Sequence, residues 1–116
     1  MNQELHQPSK RLAEILRCAR HIREFTDSVG ADAFSLDLMR RTAVQGRIMR
    51  MAGAVARVPE EYRNANPGVP WERISSFGEK LLRSSRTVDP AEVLAFCRTV
   101  VPETVEAITG MFLLRS

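Results

Sequence analysis

The stretch that decides the fold is Pro59–Leu94, PEEYRNANPGVPWERISSFGEKLLRSSRTVDPAEVL. Asn64, Asn66, Pro67 and Gly68 are turn residues that interrupt any helix arriving from upstream. Pro70 sits where a first helical turn tolerates proline, because the N–H it lacks would have had no partner there. From Trp71, the apolar residues Ile74, Phe77, Leu81 and Leu82 recur at three- and four-residue steps. This spacing predicts a helix over Trp71–Ser84 with one buried face. Asp89-Pro90-Ala91-Glu92 has the form of a capping box with proline at the first helical position, so another helix opens there.

Working outward, the same period fills the rest of the chain. Leu12, Ile15, Leu16, Ala19, Ile22 and Phe25 predict a first helix over about Ser9–Asp27, with Ser9 as its cap and Gly30 as its stop. A short helical turn over Ala31–Phe34 is expected to tuck Phe34 into the core. A long second helix is expected from about Leu36 to Arg63, with a bend or break near Pro59. Within it Gly46 and Gly53 lie seven residues apart on one side; glycine costs a helix interior about 1 kcal/mol relative to alanine, so the pair reads either as the close approach of another backbone or as drift in a sequence that has lost a constraint. Val93, Leu94, Phe96, Cys97, Val100, Val105, Ile108 and Phe112 carry the last helix to about Leu114, with a kink expected at Pro102. Alternating strand periods, internal repeats, phosphate-binding loops and dinucleotide signatures are absent from the sequence. The expected architecture is all-α, an up-down bundle of about four helices with a kinked C-terminal helix.

The chain of 116 residues is expected to form one domain over 1–116, with 1–8 as a flexible tail that includes His6. Arginine interrupts every apolar run before it reaches membrane-spanning length, so no membrane association is expected. The start MNQELHQPSKR lacks the apolar segment of a secretory signal, which makes the cytoplasm the expected compartment. Cys18 and Cys97 are the only cysteines and read as reduced core thiols. Two cysteines and two distant histidines do not have metal-site spacing, so neither a metal nor another cofactor is expected. His21, three residues after Cys18, reads as a partly buried structural histidine.

Net charge is +3, and all but two of the 17 cations are arginine. The segment Leu38–Val58 has five arginines and no acid, and Arg73–Arg86 is basic as well. Two readings stay open. The basic helices face a common groove and hold a polyanion, or they are solvated faces whose arginines pair with acids of neighbouring helices.

The order of Pro-x-x-Pro-Trp, Ile74, Lys80-Leu81 and Val88-Asp89 resembles the HepT-like branch of the HEPN family, all-helical ribonuclease toxins of prokaryotes. The resemblance covers about residues 9–114. It implies the same helical bundle, and a two-fold homodimer whose groove holds the active site. It also implies a minimal nucleotidyltransferase antitoxin as partner, able to adenylylate the toxin on a tyrosine. The family motif is Arg-x-x-x-x-His, with that tyrosine two residues past the histidine. With Trp71, Ile74, Lys80, Leu81 and Asp89 holding register, the motif arginine falls on Gly78, the histidine on Arg83 and the tyrosine on Ser85. The family's polar cluster on the preceding helix falls on Gly46–Met49, so its glutamate is also missing.

A metal-independent ribonuclease needs a base for the ribose 2′-hydroxyl and cations for the phosphorane. A guanidinium stays protonated and has no lone pair to take a proton, so Arg83 can bind phosphate but not start the reaction. The expected function is therefore that of a degenerate HepT-like protein that binds a partner protein or RNA as a homodimer. Arg47, Arg50, Lys80, Arg83 and Arg86 are the expected binding residues. The alternatives are an active ribonuclease with a non-standard residue set and a purely structural dimeric scaffold.

Overall fold

The computed structural model of the chain describes residues 2–115, and the side chains of residues 8–113. Six helices follow one another: α1 (Asn2–Thr26), α2 (Ala31–Leu36), α3 (Leu38–Ala56), α4 (Glu60–Ala65), α5 (Trp71–Ser84) and α6 (Pro90–Arg115). There is no strand among the described residues. The four long helices α1, α3, α5 and α6 make the expected bundle. Its up-down sense is written in the pairs that cross it. Glu14 meets Arg50 and the Phe25 carbonyl meets Arg40, so α1 and α3 are antiparallel. Gln45 reaches the Ser85 carbonyl, Arg73 pairs with Glu103 and Lys80 with Glu92, so each following helix reverses as well.

The apolar stripes read from the sequence point inward with one correction: Leu82, expected on the buried face of its helix, is exposed, because it lies one residue past Leu81 and so about 100° around the helix from the core. Leu12, Ile15, Ile22, Ile48, Val55, Ile74, Leu81 and Ile108 are buried, and Phe34 of the short α2 plugs the core as expected. Two buried hydroxyls are satisfied locally: Thr26 Oγ1 donates to the Ile22 carbonyl and Thr104 Oγ1 to that of Val100. Cys18 and Cys97 are buried free thiols, as expected. Burial pushes the Cys97 thiol up to about 12.

Several boundaries differ from the sequence expectation. The long second helix is two helices, because Pro59 adopts extended backbone (φ −58°, ψ 141°) and starts α4 instead of continuing α3. The break was expected near Pro59, but Leu36 belongs to α2. Asp37 ends α2 and caps α3, its Oδ1 accepting from the Arg40 N–H at 3.0 Å. The first helix begins at Asn2 with Pro8 inside it, so Ser9 is interior and not a cap. Of the tail expected over 1–8, Met1 and the side chains of 2–7, His6 among them, lie outside the described residues, while the backbone from Asn2 belongs to α1. Gly30 does not stop α1. It precedes α2 and accepts the Phe34 N–H at 2.9 Å. The capping box at α6 is half formed. Asp89 Oδ1 accepts from the Ala91 N–H at 2.9 Å, while the Glu92 carboxylate turns to Lys80. Pro102 lies inside α6, where it removes one backbone donor.

Trp71 fixes the turn that opened the sequence reading. Its ring is buried, and its Nε1–H is shared between the carbonyls of Arg63 at 3.0 Å and Asn66 at 2.9 Å. The indole thus satisfies the end of α4 while it anchors the start of α5. That anchor sets the position of every residue on α5 that the family motif would use.

Candidate functional site

Gly78 is the first of those residues, and it lies in the seam between α3 and α5. It is buried, and a Cβ built on it would stand 2.3 Å from Ala52 Cβ. Carbon atoms pack at roughly 3.5–4.0 Å, so no side chain fits unless the helices part. The sequence places the close backbone approach at Gly46 and Gly53, and the structure corrects this. A Cβ at either position would meet nothing within 4 Å. Both are exposed, Gly53 at the rim of the seam, and the tight helix crossing sits at Gly78. The rest of the seam is small and mostly uncharged: Met49, Ala52, Gly53 and Ala56 from α3 face Ser75, Gly78, Glu79 and Leu82 from α5 around a cavity of about 280 Å³.

Arg83 stands exposed in the last turn of α5 and has no hydrogen bond or ion pair to any described residue. Ser85 follows the helix as its C-cap, and its carbonyl accepts from Gln45 Nε2 at 3.4 Å. Lys80 is spent on Glu92 across the α5/α6 groove, beside a stacked pair of rings, Phe77 and Phe96, with centroids 4.6 Å apart. Arg86 lies against the start of α3, where it lines a cavity with Leu38, Arg41, Thr42, Gln45 and Ser85.

Arg47 and Arg50 lie elsewhere. The antiparallel register of α1 and α3 turns them toward α1, where Arg50 Nε is 3.7 Å from Glu14 Oε2. The same carboxylate takes Arg11 at 3.4 Å. Burial pushes the Cys18 thiol up, the Glu14 charge adds to the rise, and the charges of Arg50, Arg47 and Arg17 pull it down. Arg17 and Arg47 have no acid bonded to them among the described residues. The cations expected in one groove thus form two groups: Arg17, Arg47 and Arg50 along the α1/α3 seam, and Arg83 and Arg86 with Arg41 where α5 ends beside the start of α3. Sequence reasoning missed Arg17 and Arg41. Arg41 precedes Gln45 by one turn, and the reversal between α3 and α5 was enough to put that turn beside Ser85.

The second reading of the arginines also holds at several places. Arg73 pairs with Glu103, Arg40 with Asp37 at 3.2 Å, and Arg23 with Asp27 at 3.6 Å. Backbone and side-chain bonds from Arg40 hold the Asp37 carboxyl below the usual aspartate range. His21, the last histidine of the chain, is partly buried on α1 and its Nδ1 has no partner. It lines a cavity with Arg17, Arg20, Glu24 and Phe112, which includes no residue of α5. Among the described side chains, no imidazole accompanies Arg83 at the end of α5.

The description "Ribonuclease HepT-like" is that of a family model matching residues 15–110. The chain belongs to the HepT-like family. A protein named "Putative RNase MJ0127" from Methanocaldococcus jannaschii is 31% identical over 71 residues, which span 61% of this chain and 59% of that relative. No solved structure matches the chain. The all-helical bundle is the one expected of a HepT-like chain. Among the described residues no helix is long and apolar enough to cross a membrane.

What this HepT-like arrangement can do follows from its donors. Exposed guanidiniums bind phosphate, preferably through two parallel N–H···O bonds. They cannot remove the 2′-hydroxyl proton that cleavage requires. A side chain at Gly78 would meet Ala52, so the motif arginine cannot stand there unless the helices part.

Proposed function

We propose that this HepT-like chain works in the cytoplasm as a two-fold dimer that binds RNA without cleaving it. The observation that carries the reading is Arg83. It is exposed and unpaired at the position where the family motif has its base, and the last histidine of the sequence is on α1. Arginines of the α1/α3 seam and of the end of α5 supply phosphate contacts, so Arg47, Arg50, Arg83 and Arg86 are the leading contacts, Arg50 beside its exposed pair with Glu14, and Lys80 is a lesser one behind its ion pair with Glu92.

Dimerisation is supported by an apolar face that no described residue covers. Leu38 and Leu82 are 67% and 77% exposed, and Met39 is 84% exposed. Met39, Gly46 and Gly53 follow one another at seven-residue steps and so share a side of α3. Gly53 and Met49 adjoin Leu82 in the α3/α5 seam. The two outward glycines let a second copy approach closely, which is the backbone contact their spacing suggests.

The test is a titration of single-stranded RNA at two salt concentrations. Each phosphate contact contributes about 0.7 to the slope of log affinity against log salt for single strands. Arg47→Ala/Arg83→Ala should therefore lower the slope by about 1.4. If the double variant and the wild type bind alike, or neither binds, RNA is not the ligand. The basic faces would then belong to a protein partner with an acidic surface, such as the nucleotidyltransferase antitoxin implied by the resemblance. Ser85 in place of the family tyrosine retains a hydroxyl, with a shorter reach. A second reading, cleavage with a non-standard residue set, is favoured by the relative's printed name.

A further inference from the structure

One cavity of this chain has cations in its lining and no carboxylate. It lies where α5 ends beside the start of α3, is about 440 Å³ in volume, and is lined by Leu38, Arg41, Thr42, Gln45, Ser85 and Arg86. By contrast, the larger cleft at the start of α5 has Glu60, Glu72, Glu79 and Glu103 in its wall, which cancel its two arginines.

Arg41 is the residue without an explanation. Its Nε is buried and has no hydrogen-bond partner. A buried charged donor left without an acceptor is unfavourable, and the rest of the Arg41 side chain, which lines the cavity, has no hydrogen bond or ion pair to a described residue either. The arginine beside it shows the contrast. Arg40 gives Nε to Asp37 at 3.2 Å and Nη1 to the Phe25 carbonyl at 2.8 Å. Asp37 is the acid whose carboxyl feels the Arg41 charge, but both of its oxygens already accept from Arg40. Arg86, opposite, has no ion pair among the described residues. Two unneutralised guanidiniums with the hydroxyls of Thr42 and Ser85 make a donor set for a tetrahedral oxyanion. The volume exceeds that of one phosphate and suits a phosphate attached to an organic group.

We propose that this pocket holds a phosphate group carried by a nucleotide, with Arg41 and Arg86 as its clamps. The assignment rests on the RNA-binding reading only for the nature of the group carrying the phosphate. The oxyanion chemistry belongs to the pocket itself.

The experiment follows the arginine Nε–H signals of the full, ¹⁵N-labelled chain by NMR. The probes are inorganic phosphate, adenosine monophosphate, a short oligouridylate without a terminal phosphate, and sodium chloride at matched ionic strength. The Arg41 signal should shift saturably with phosphate and with the monophosphate, and not with chloride. Arg86→Ala, an exposed change that leaves the core intact, should weaken binding by about tenfold or more. Arg57→Ala, at the far end of α3, should not. A matching shift with the oligouridylate assigns an internal diester, and a shift confined to the monophosphate assigns a strand end or a free nucleotide. No saturable shift, an equal shift in chloride, or unchanged binding by Arg86→Ala would overturn the pocket. A pocket that takes the monophosphate while single-stranded RNA fails to bind the chain sinks the RNA reading and leaves the pocket standing.

Discussion

Replacing Gly78 with alanine adds one methyl group to the tightest crossing in the bundle. That methyl would lie 2.3 Å from Ala52 Cβ and 3.8 Å from Ala52 Cα. The first distance is about 1.5 Å short of ordinary carbon contact. Neither side can rotate away, because both groups are fixed to helix backbone. Forcing a methylene into a packed core costs about 1–3 kcal/mol, and alanine returns up to about 1 kcal/mol of helix propensity. The net expectation is a loss of about 1–2 kcal/mol. Ala52→Gly alone should lose about 1 kcal/mol, mainly from propensity. The double variant exchanges one glycine for another across the seam, removes the clash and should return near to wild type. The cycle then has a coupling energy of about 2–3 kcal/mol, at the top of the range for residues in contact. Urea unfolding at fixed protein concentration measures all four proteins, with Trp71, the sole tryptophan, as probe. A neutral or stabilised Gly78→Ala, or a double variant that only adds the two single losses, would refute the crossing. The same geometry bears on restoring the motif. Gly78→Arg with Arg83→His should fold poorly, and Ala52→Gly should be needed before any activity can return.

Other outcomes follow from the same contacts. Leu82→Glu places a charge on the uncovered α3/α5 face, and light scattering at tens of micromolar should change from dimer to monomer with unchanged helical circular dichroism. An unaltered dimer would place the interface elsewhere. Trp71→Phe removes the N–H shared by the carbonyls of Arg63 and Asn66 and should cost about 1–3 kcal/mol in urea, read by circular dichroism. Full retention of stability would mean that the turn is held by packing alone. Asp37 has its carboxyl held below the ordinary aspartate range, chiefly by the Arg40 backbone N–H. A depressed folded value stabilises the fold above the unfolded pKa, and the gain is lost as pH falls from about 4 through the folded value. Asp37→Asn keeps a capping oxygen and should flatten that part of the acid titration. An identical acid slope in both proteins would exclude Asp37 as its source.

The helices were legible because their apolar stripes are local and periodic. Ile74, Leu81 and Ile108 went where a 3.6-residue repeat sends them, and the turn at Asn64–Pro70 announced itself by composition. Relations between helices were less visible. Gly46 and Gly53 suggested a close backbone approach, but spacing within a helix does not say what lies against it, and a Cβ at either glycine would meet no described residue within 4 Å. Gly78 read as a lost arginine, whereas its neighbour Ala52 makes it a packing requirement. Arg47 and Arg50 looked like partners of Arg83 because they are near in sequence to the same groove. The register of α1 against α3, which turns them toward Glu14, depends on packing along the whole helix pair. Glu92 had the spacing of a capping box, but Lys80 from α5 offered a cation that no local pattern reveals.

The central claim is that Arg83 binds and cannot act as a base, and the most direct measurement follows binding and cleavage in one reaction. End-labelled single-stranded RNA is incubated with purified chain at neutral pH in the presence of a chelator, then divided between a native and a denaturing gel. The account predicts RNA shifted in the native gel and full-length in the denaturing gel, with the shift weakened by Arg83→Ala. Cleavage products that appear with the wild type and disappear with Arg83→Ala would contradict it.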